Sequence, residues 1–195
     1  MARKNDEVGV PIRVLSSWLL QEVTKSIAKN RQYVNPIITK NFQPTAMSVS
    51  FLLRIMQFIG TTDSKDITAL LSDTTHQILA IFKFDPAIVG FENKYHQRMT
   101  YNTVHRIIRV NKANLRFMTT KYINKNFKFK LDGSLDIAVL EIVDFEIFLI
   151  DPYLFEKSIE YKLKYVYDEA EYTALCGKKA EPDVMRYDDG LIESP

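Results

Sequence analysis

The chain has 195 residues, the length of one domain with tails. Hydrophobic residues make up 46% and charged residues 26%, ordinary globular values that exclude wholesale disorder. A single Cys excludes an internal disulfide and fits a reducing, intracellular setting, and 26 Lys+Arg against 24 Asp+Glu exclude no class of partner.

Residues 1–9, MARKNDEVG, form a polar leader without the apolar stretch of a signal peptide. No apolar run approaches the roughly 18 residues of a membrane span, so no membrane partner is expected. A helix is predicted from Pro11 to Lys29, with Ile12, Leu15, Leu19, Val23 and Ile27 on one stripe and Trp18 beside it. Residues 30–45 carry Pro36 and Pro44 and no sustained period, so they read as a linking loop. Met47–Phe58 alternates as a strand, and Gly60–Ser64 is a turn cluster. Asp66–Leu71 and His76–Phe84 are two more strands around the polar turn Ser72–Thr75.

At Asp85-Pro86 the period becomes helical, with Asp85 as N-cap, Ile88, Phe91 and Tyr95 on one face, and an end near Met99. Val104–Thr119 is extended, with a break expected at Asn111–Asn114. Phe127–Leu131 alternates as a strand, and Leu135–Ile150 is a long β-branched segment whose inward face changes near Val143-Asp144, as at a bulge. Asp151-Pro152 opens a predicted last helix with Phe155, Ile159, Leu163 and Val166 as its stripe. A single domain over 10–175 and a flexible polar tail over 176–195 are expected.

Three strands, a helix and two more strands is the order of the five-stranded oligonucleotide/oligosaccharide-binding (OB) barrel. The expected fold is therefore mainly β, a five-stranded OB barrel with an N-terminal helix, a helix between strands 3 and 4 and a C-terminal helix. An α+β sandwich with helices on one face is the alternative.

The near-neutral charge hides a block structure. Between Lys94 and Lys130 there are ten basic residues and no Asp or Glu. Beyond it stand Asp132, Asp136, Glu141, Asp144, Glu146, Asp151, Glu156 and Glu160. Either the fold has opposed basic and acidic faces suited to oriented docking, or strands of opposite charge lie side by side.

Catalytic motifs are scarce. Gly177-Lys178-Lys179 lacks the remainder of a phosphate loop, and no G-x-S-x-G elbow occurs. His76, His96 and His105 have no metal-ligand spacing with one another or with Cys176. Asp63 and Asp66 sit at a turn, where Asp is common for backbone reasons. No enzyme activity, metal or cofactor is expected.

The segment SDTTHQILAIF, Ser72–Phe82, resembles the turn and strand of the yeast telomerase accessory subunits of the Ever Shorter Telomeres "three" family. Single residues agree in the same order: Trp18 in the N-terminal helix, Arg54 in LLRIMQF, Phe91-Glu92 on the middle helix, Thr103 after it, and Ile150-Asp151 at the end of the last strand. The resemblance covers about residues 12–152. It implies an OB-fold, non-catalytic regulatory subunit of telomerase, similar to the shelterin domain that recruits telomerase in animals. It implies contacts with the N-terminal domain of the reverse transcriptase and with other accessory subunits, at telomeric chromosome ends in the nucleus. Carried over by position, the partner-binding residues would be Trp18, Arg54, Asp73, Glu92, Thr103 and Asp151. Gln57 and His105 depart from the family pattern, which can have a basic residue and an amide there.

A competing function is binding of single-stranded telomeric DNA or telomerase RNA by the acid-free block. Arg106, Arg109, Lys112, Arg116 and Lys121 are its candidate contacts, with Phe117, Tyr122, Phe127 and Phe129 interleaved. On the protein-contact reading, reversing the charge of Asp73 or Glu92 leaves the fold intact and abolishes docking.

Overall fold

The computed structural model describes residues 15–30, 40–42, 52–128, 136–149 and 163–177. Among these the chain forms α1 (Leu19–Asn30), β1 (Lys40–Phe42), β2 (Leu52–Thr61), β3 (Ile67–Ser72), β4 (His76–Phe82), α2 (Val89–Tyr95), β5 (Ile107–Met118), α3 (Thr120–Phe127), β6 (Ile137–Leu149), β7 (Lys164–Tyr165) and α4 (Ala170–Cys176).

Strands β5, β2, β3 and β4 pair antiparallel in that order. Strand β4 then pairs with β6 in parallel, and β6 returns to β5 antiparallel, which closes a five-strand barrel. This is the expected OB barrel. Strand β1 adds to β5 outside the ring at Ala113–Leu115, and β7 runs parallel to the start of β4. The long strands β2 and β6 close the ring by bending. The ladder skips Met56 and Ile59 in β2 and Val143 in β6, extra residues that bend a strand and let it change face. The predicted face change near Val143-Asp144 is that bulge.

Every residue of β4 is buried. Its two faces are both apolar because one lines the barrel and the other packs beneath α1 and the C-terminal segment. Leu19, Val23 and Ile27 supply the buried stripe of α1. On α2, Phe91 stacks on Phe145 at 5.6 Å, and Phe145 meets Phe82 edge-on at 4.9 Å.

Five sequence expectations are corrected. First, α1 starts at Leu19 rather than Pro11; residues 15–18 are not helical, and residues 11–14 lie outside the described part. Second, Asp85 is not an N-cap: its backbone is extended (φ −125°, ψ 119°) inside a wide turn over Phe84–Ile88 that leads into α2. Helix α2 ends at Tyr95, where His96 turns left-handed at φ 56°, short of Met99. Third, β5 continues through 111–114 as one strand, but its register on β6 shifts at Asn111 and again before Ala113. Asn111 and Lys112 are both exposed between buried Val110 and Ala113, so the expected break is a bulge within the strand.

Fourth, residues 120–127 form helix α3. Thr119 caps it by accepting from the Tyr122 N–H at 3.1 Å, and Ile123 and Phe127, four apart, are buried. Of the predicted strand 127–131, Phe127 closes this helix and residues 129–131 lie outside the described part. Fifth, Leu163 and Val166 do not continue a helix. Residues 164–165 are strand, and the C-terminal helix is α4. Asp151 and most of that predicted helix lie outside the described residues.

Candidate functional site

The segment with the family resemblance, Ser72–His76, is the hub of one corner of the barrel. The Asp73 carboxylate is buried and accepts four backbone N–H bonds, each of 2.8 Å. Oδ2 takes the N–H groups of Trp18 and Leu19, and Oδ1 those of Thr75 and His76. One side chain thus closes the β3–β4 turn and caps α1 from 55 residues away. That distant cap sets where α1 begins.

Trp18 also donates through Nε1 to the Leu52 carbonyl at 3.1 Å. Arg54, opposite Ser72 in the β2–β3 ladder, donates through Nη1 to the His105 carbonyl at 3.1 Å. Burial lowers the pKa of this guanidinium. His105 has φ 73°, and the Ile55 carbonyl accepts its N–H, so β2 holds the turn that follows Thr103. The Thr103 hydroxyl accepts the Thr100 N–H at 3.1 Å.

Trp18, Arg54, Asp73 and Thr103 are 8, 4, 2 and 2% exposed. Asp73 bonds Trp18 directly, and Arg54, across the ladder from Ser72, bonds the turn that follows Thr103. Reversing the charge of Asp73 therefore tests the fold before it tests docking. Glu92 is separate: it is half-exposed on α2, where a charge can meet a partner.

Two members of this corner left no signal in the sequence. Ser17 shares a 2.7 Å hydroxyl–hydroxyl bond with Thr75. Glu169 lies 93 residues from His76, yet its Oε2 is 2.5 Å from His76 Nε2. The His76 Nδ1 is 2.8 Å from the Thr75 hydroxyl. This hydroxyl–imidazole–carboxylate chain has the parts of a nucleophilic triad without its setting. The N–H groups of Thr75 and His76, which could face a developing oxyanion, are bound to Asp73. The same chain ties the C-terminal segment to β4.

The hydrogen bond from His76 holds the Glu169 carboxyl below its ordinary pKa. A lowered carboxyl pKa stabilises the fold above the unfolded-state value and stops doing so as pH falls through the folded-state value. Comparing urea midpoints of the natural chain and Glu169→Gln across pH checks this. The natural chain is expected to lead near neutrality and to lose that lead below the usual carboxylate range; a lead independent of pH would contradict it.

The basic candidates divide. Arg109, Lys112 and Arg116 lie on the outer face of β5, which runs beside the acidic β6. Arg109 pairs with Glu146 and Lys112 with Asp144 in the ladder, and Arg116 Nε is 3.4 Å from Glu141 Oε2. Side-by-side strands of opposite charge are thus realised, with Arg116 and Glu141 as the ion pair between them among the described residues. Arg106 is half-buried beside β2, and Lys121 is exposed on α3. Phe117 and Phe127 are core residues, and Phe129 lies outside the described part. Among the described residues no group of three or more His, Cys, Asp or Glu could hold a metal, and no helix is long and apolar enough to cross a membrane.

Residues 15–164 match the family model of the shelterin complex subunit TPP1/ACD. The telomere replication protein EST3 of Candida albicans is 58% identical over 179 residues, covering 92% of this chain and 85% of that protein. The chain belongs to the EST3 family. The EST3 of Debaryomyces hansenii is 40% identical over 182 residues, 93% of this chain and 90% of its own length. The Est3 telomerase subunit of the yeast Hansenula polymorpha has the same fold, with a TM-score of 0.54 at 20% identity over 83% of this chain and 84% of that one. The match to the shelterin-subunit model stops at residue 164, before Val166, Tyr167, Tyr172 and Cys176, which are buried in the core.

Proposed function

We propose that this chain is a non-catalytic regulatory subunit of telomerase. It acts in telomere maintenance at nuclear chromosome ends, through protein contacts with the N-terminal domain of the reverse transcriptase and with other accessory subunits. The 58% identity to an EST3 protein over nearly the whole chain carries this reading. The structure is compatible with it. Linked residues behind the surface fix a rigid barrel corner, and a rigid scaffold can present charged groups without reshaping its core.

Capture of the full chain by the isolated N-terminal domain of the reverse transcriptase tests it. Glu92→Arg is expected to cut capture at least about tenfold, the loss of one charged hot-spot contact, while the urea midpoint stays unchanged. Full capture of that variant, or no capture of the natural chain, counts against the proposal.

A further inference from the structure

Among the described residues two large apolar side chains are exposed, Phe84 at 37% and Phe148 at 40%. Each carries a cation over its ring. Lys65 Nζ lies 5.7 Å from the centre of Phe84, and Arg109 Cζ lies 5.1 Å from the centre of Phe148. Their settings differ. Phe84 starts the wide turn before α2, with an exposed acid, Asp85, next in the chain. Phe148 stands in the barrel wall. The β5–β6 ladder pairs Ile147 with Ile108 and Leu149 with Ile107, and so passes over Phe148. It is the extra residue of a bulge, a device that re-aims a side chain. Arg109 is exposed, and among the described residues no carboxylate binds it. Glu146, its ladder partner, instead gives Oε2 to the Asn111 amide at 3.2 Å. An apolar ring and a guanidinium without a counter-ion thus meet solvent as one stacked unit.

The unit lies between Glu92 and the Trp18 corner. On one side Ile147 donates its N–H to the Tyr95 hydroxyl at 2.9 Å, and Tyr95 stands three residues after Glu92 on α2, so the two are neighbours on the helix surface. On the other side Arg109 pairs with Leu52 in the β2–β5 ladder, and the Leu52 carbonyl accepts the Trp18 Nε1–H. Leu52 belongs with Leu15 and Ile107 to a small apolar cluster separate from the main core. The outer wall of β5 and β6 therefore connects α2 to the corner. Polarity and charge fix what complements this wall. The ring fits an apolar pocket. The guanidinium, held flat over it, fits a carboxylate on the pocket rim, which it can grip with two N–H groups. Arg and aromatic side chains of this kind are enriched among the few residues that carry binding energy.

We propose that Arg109 and Phe148 are the hot spot of a protein-docking surface that runs from Glu92 across the β5–β6 wall to the Trp18 corner, and that its partner offers an apolar pocket edged by a carboxylate. This inference rests on the reading of the chain as a subunit that docks on the reverse transcriptase domain, and it names the contact. Lys65 and Phe84 are not part of it.

The test is capture of the full chain by the isolated N-terminal domain of the reverse transcriptase. Phe148→Ala and Arg109→Ala are each expected to weaken capture at least about tenfold with unchanged urea midpoints, because both side chains are exposed. Arg109→Lys keeps the charge but loses the flat fork, so it should keep only part of the binding. The double variant should lose less than the product of the two single losses, as partners in one contact do. Phe84→Ala and Lys112→Ala, an exposed ring and an exposed β5 cation elsewhere, should each change capture less than about twofold. A photoreactive benzophenone side chain in place of Phe148 should cross-link the domain on illumination, and one in place of Phe84 should not. The cross-link reads the contact even where truncating Phe148 disturbs the strand. Capture of the natural chain that survives both truncations, equal losses in the two controls, or a cross-link from position 84 alone would overturn the inference and leave the proposed function standing. No capture of the natural chain would remove both.

Discussion

Asp73→Ala is expected to lower the stability of the fold by about 3–5 kcal/mol, a large share of the roughly 5–15 kcal/mol that holds a domain together. The estimate follows from the four buried N–H groups that converge on this carboxylate. Each donor left unpaired costs about 1–3 kcal/mol, and relaxation or entering water recovers part of the sum. Two of the four are the first donors of α1, so the helix loses its cap as the β3–β4 turn loses its closure. Asp73→Asn keeps one oxygen and points an amide at two donors, so it should fall between the two. Urea unfolding followed by circular dichroism reads both. Capture by the reverse transcriptase domain should decline only as the folded fraction declines. An Asp73→Ala chain with an unchanged midpoint and lost capture would instead make Asp73 a surface contact.

This residue also shows how far a sequence can be read. Asp73, Trp18, Arg54 and Thr103 agree with the family by position, which implies partner-binding roles; in the fold all four are buried, and their bonds hold the chain's own turns and helix start. A lone sequence cannot separate the two roles, because a capping Asp and a docking Asp both sit in polar turns. The barrel order was legible for local reasons. The strands are short apolar segments bounded by turns of self-bonding polar residues, and β6 shows its bulge as a change of face at Val143.

What was missed depends on contacts distant in sequence. The start of α1 is set 55 residues away, and the anchor of the C-terminal segment on His76 is 93 residues away. Helix α3 was hidden because Phe127-Lys128-Phe129-Lys130-Leu131 alternates more visibly than Ile123 and Phe127 repeat. The charge block was read correctly as a block but not as two surfaces. Only the register of β5 on β6 shows which of its cations have acids beside them.

Removing the hydroxyl of Tyr172 should cost about 2 kcal/mol, although Tyr172→Phe changes one atom in a position with no solvent exposure. The hydroxyl donates to the Asp136 carbonyl at 2.6 Å and accepts the Ala138 N–H at 2.8 Å. Tyr167 does the same one step along, donating to the Ala138 carbonyl at 2.7 Å and accepting the Leu79 N–H at 3.1 Å. The two phenols bond the backbone at the start of β6, before β4 and β6 come into register at Ala80 and Leu140. Where the parallel ladder has not begun, side chains from the C-terminal segment take its place. Burial raises the pKa of both phenols, so they stay protonated and able to donate across the pH range of a folded protein. Tyr167→Phe should cost a similar amount. The double variant should cost less than the two together, because both hydroxyls bond the same residue, Ala138. Amide exchange locates the effect: the Ala138 N–H should lose protection in Tyr172→Phe and the Leu79 N–H in Tyr167→Phe. Unchanged midpoints with unchanged protection would mean that water replaces the phenols at no cost, and that the C-terminal segment seals nothing.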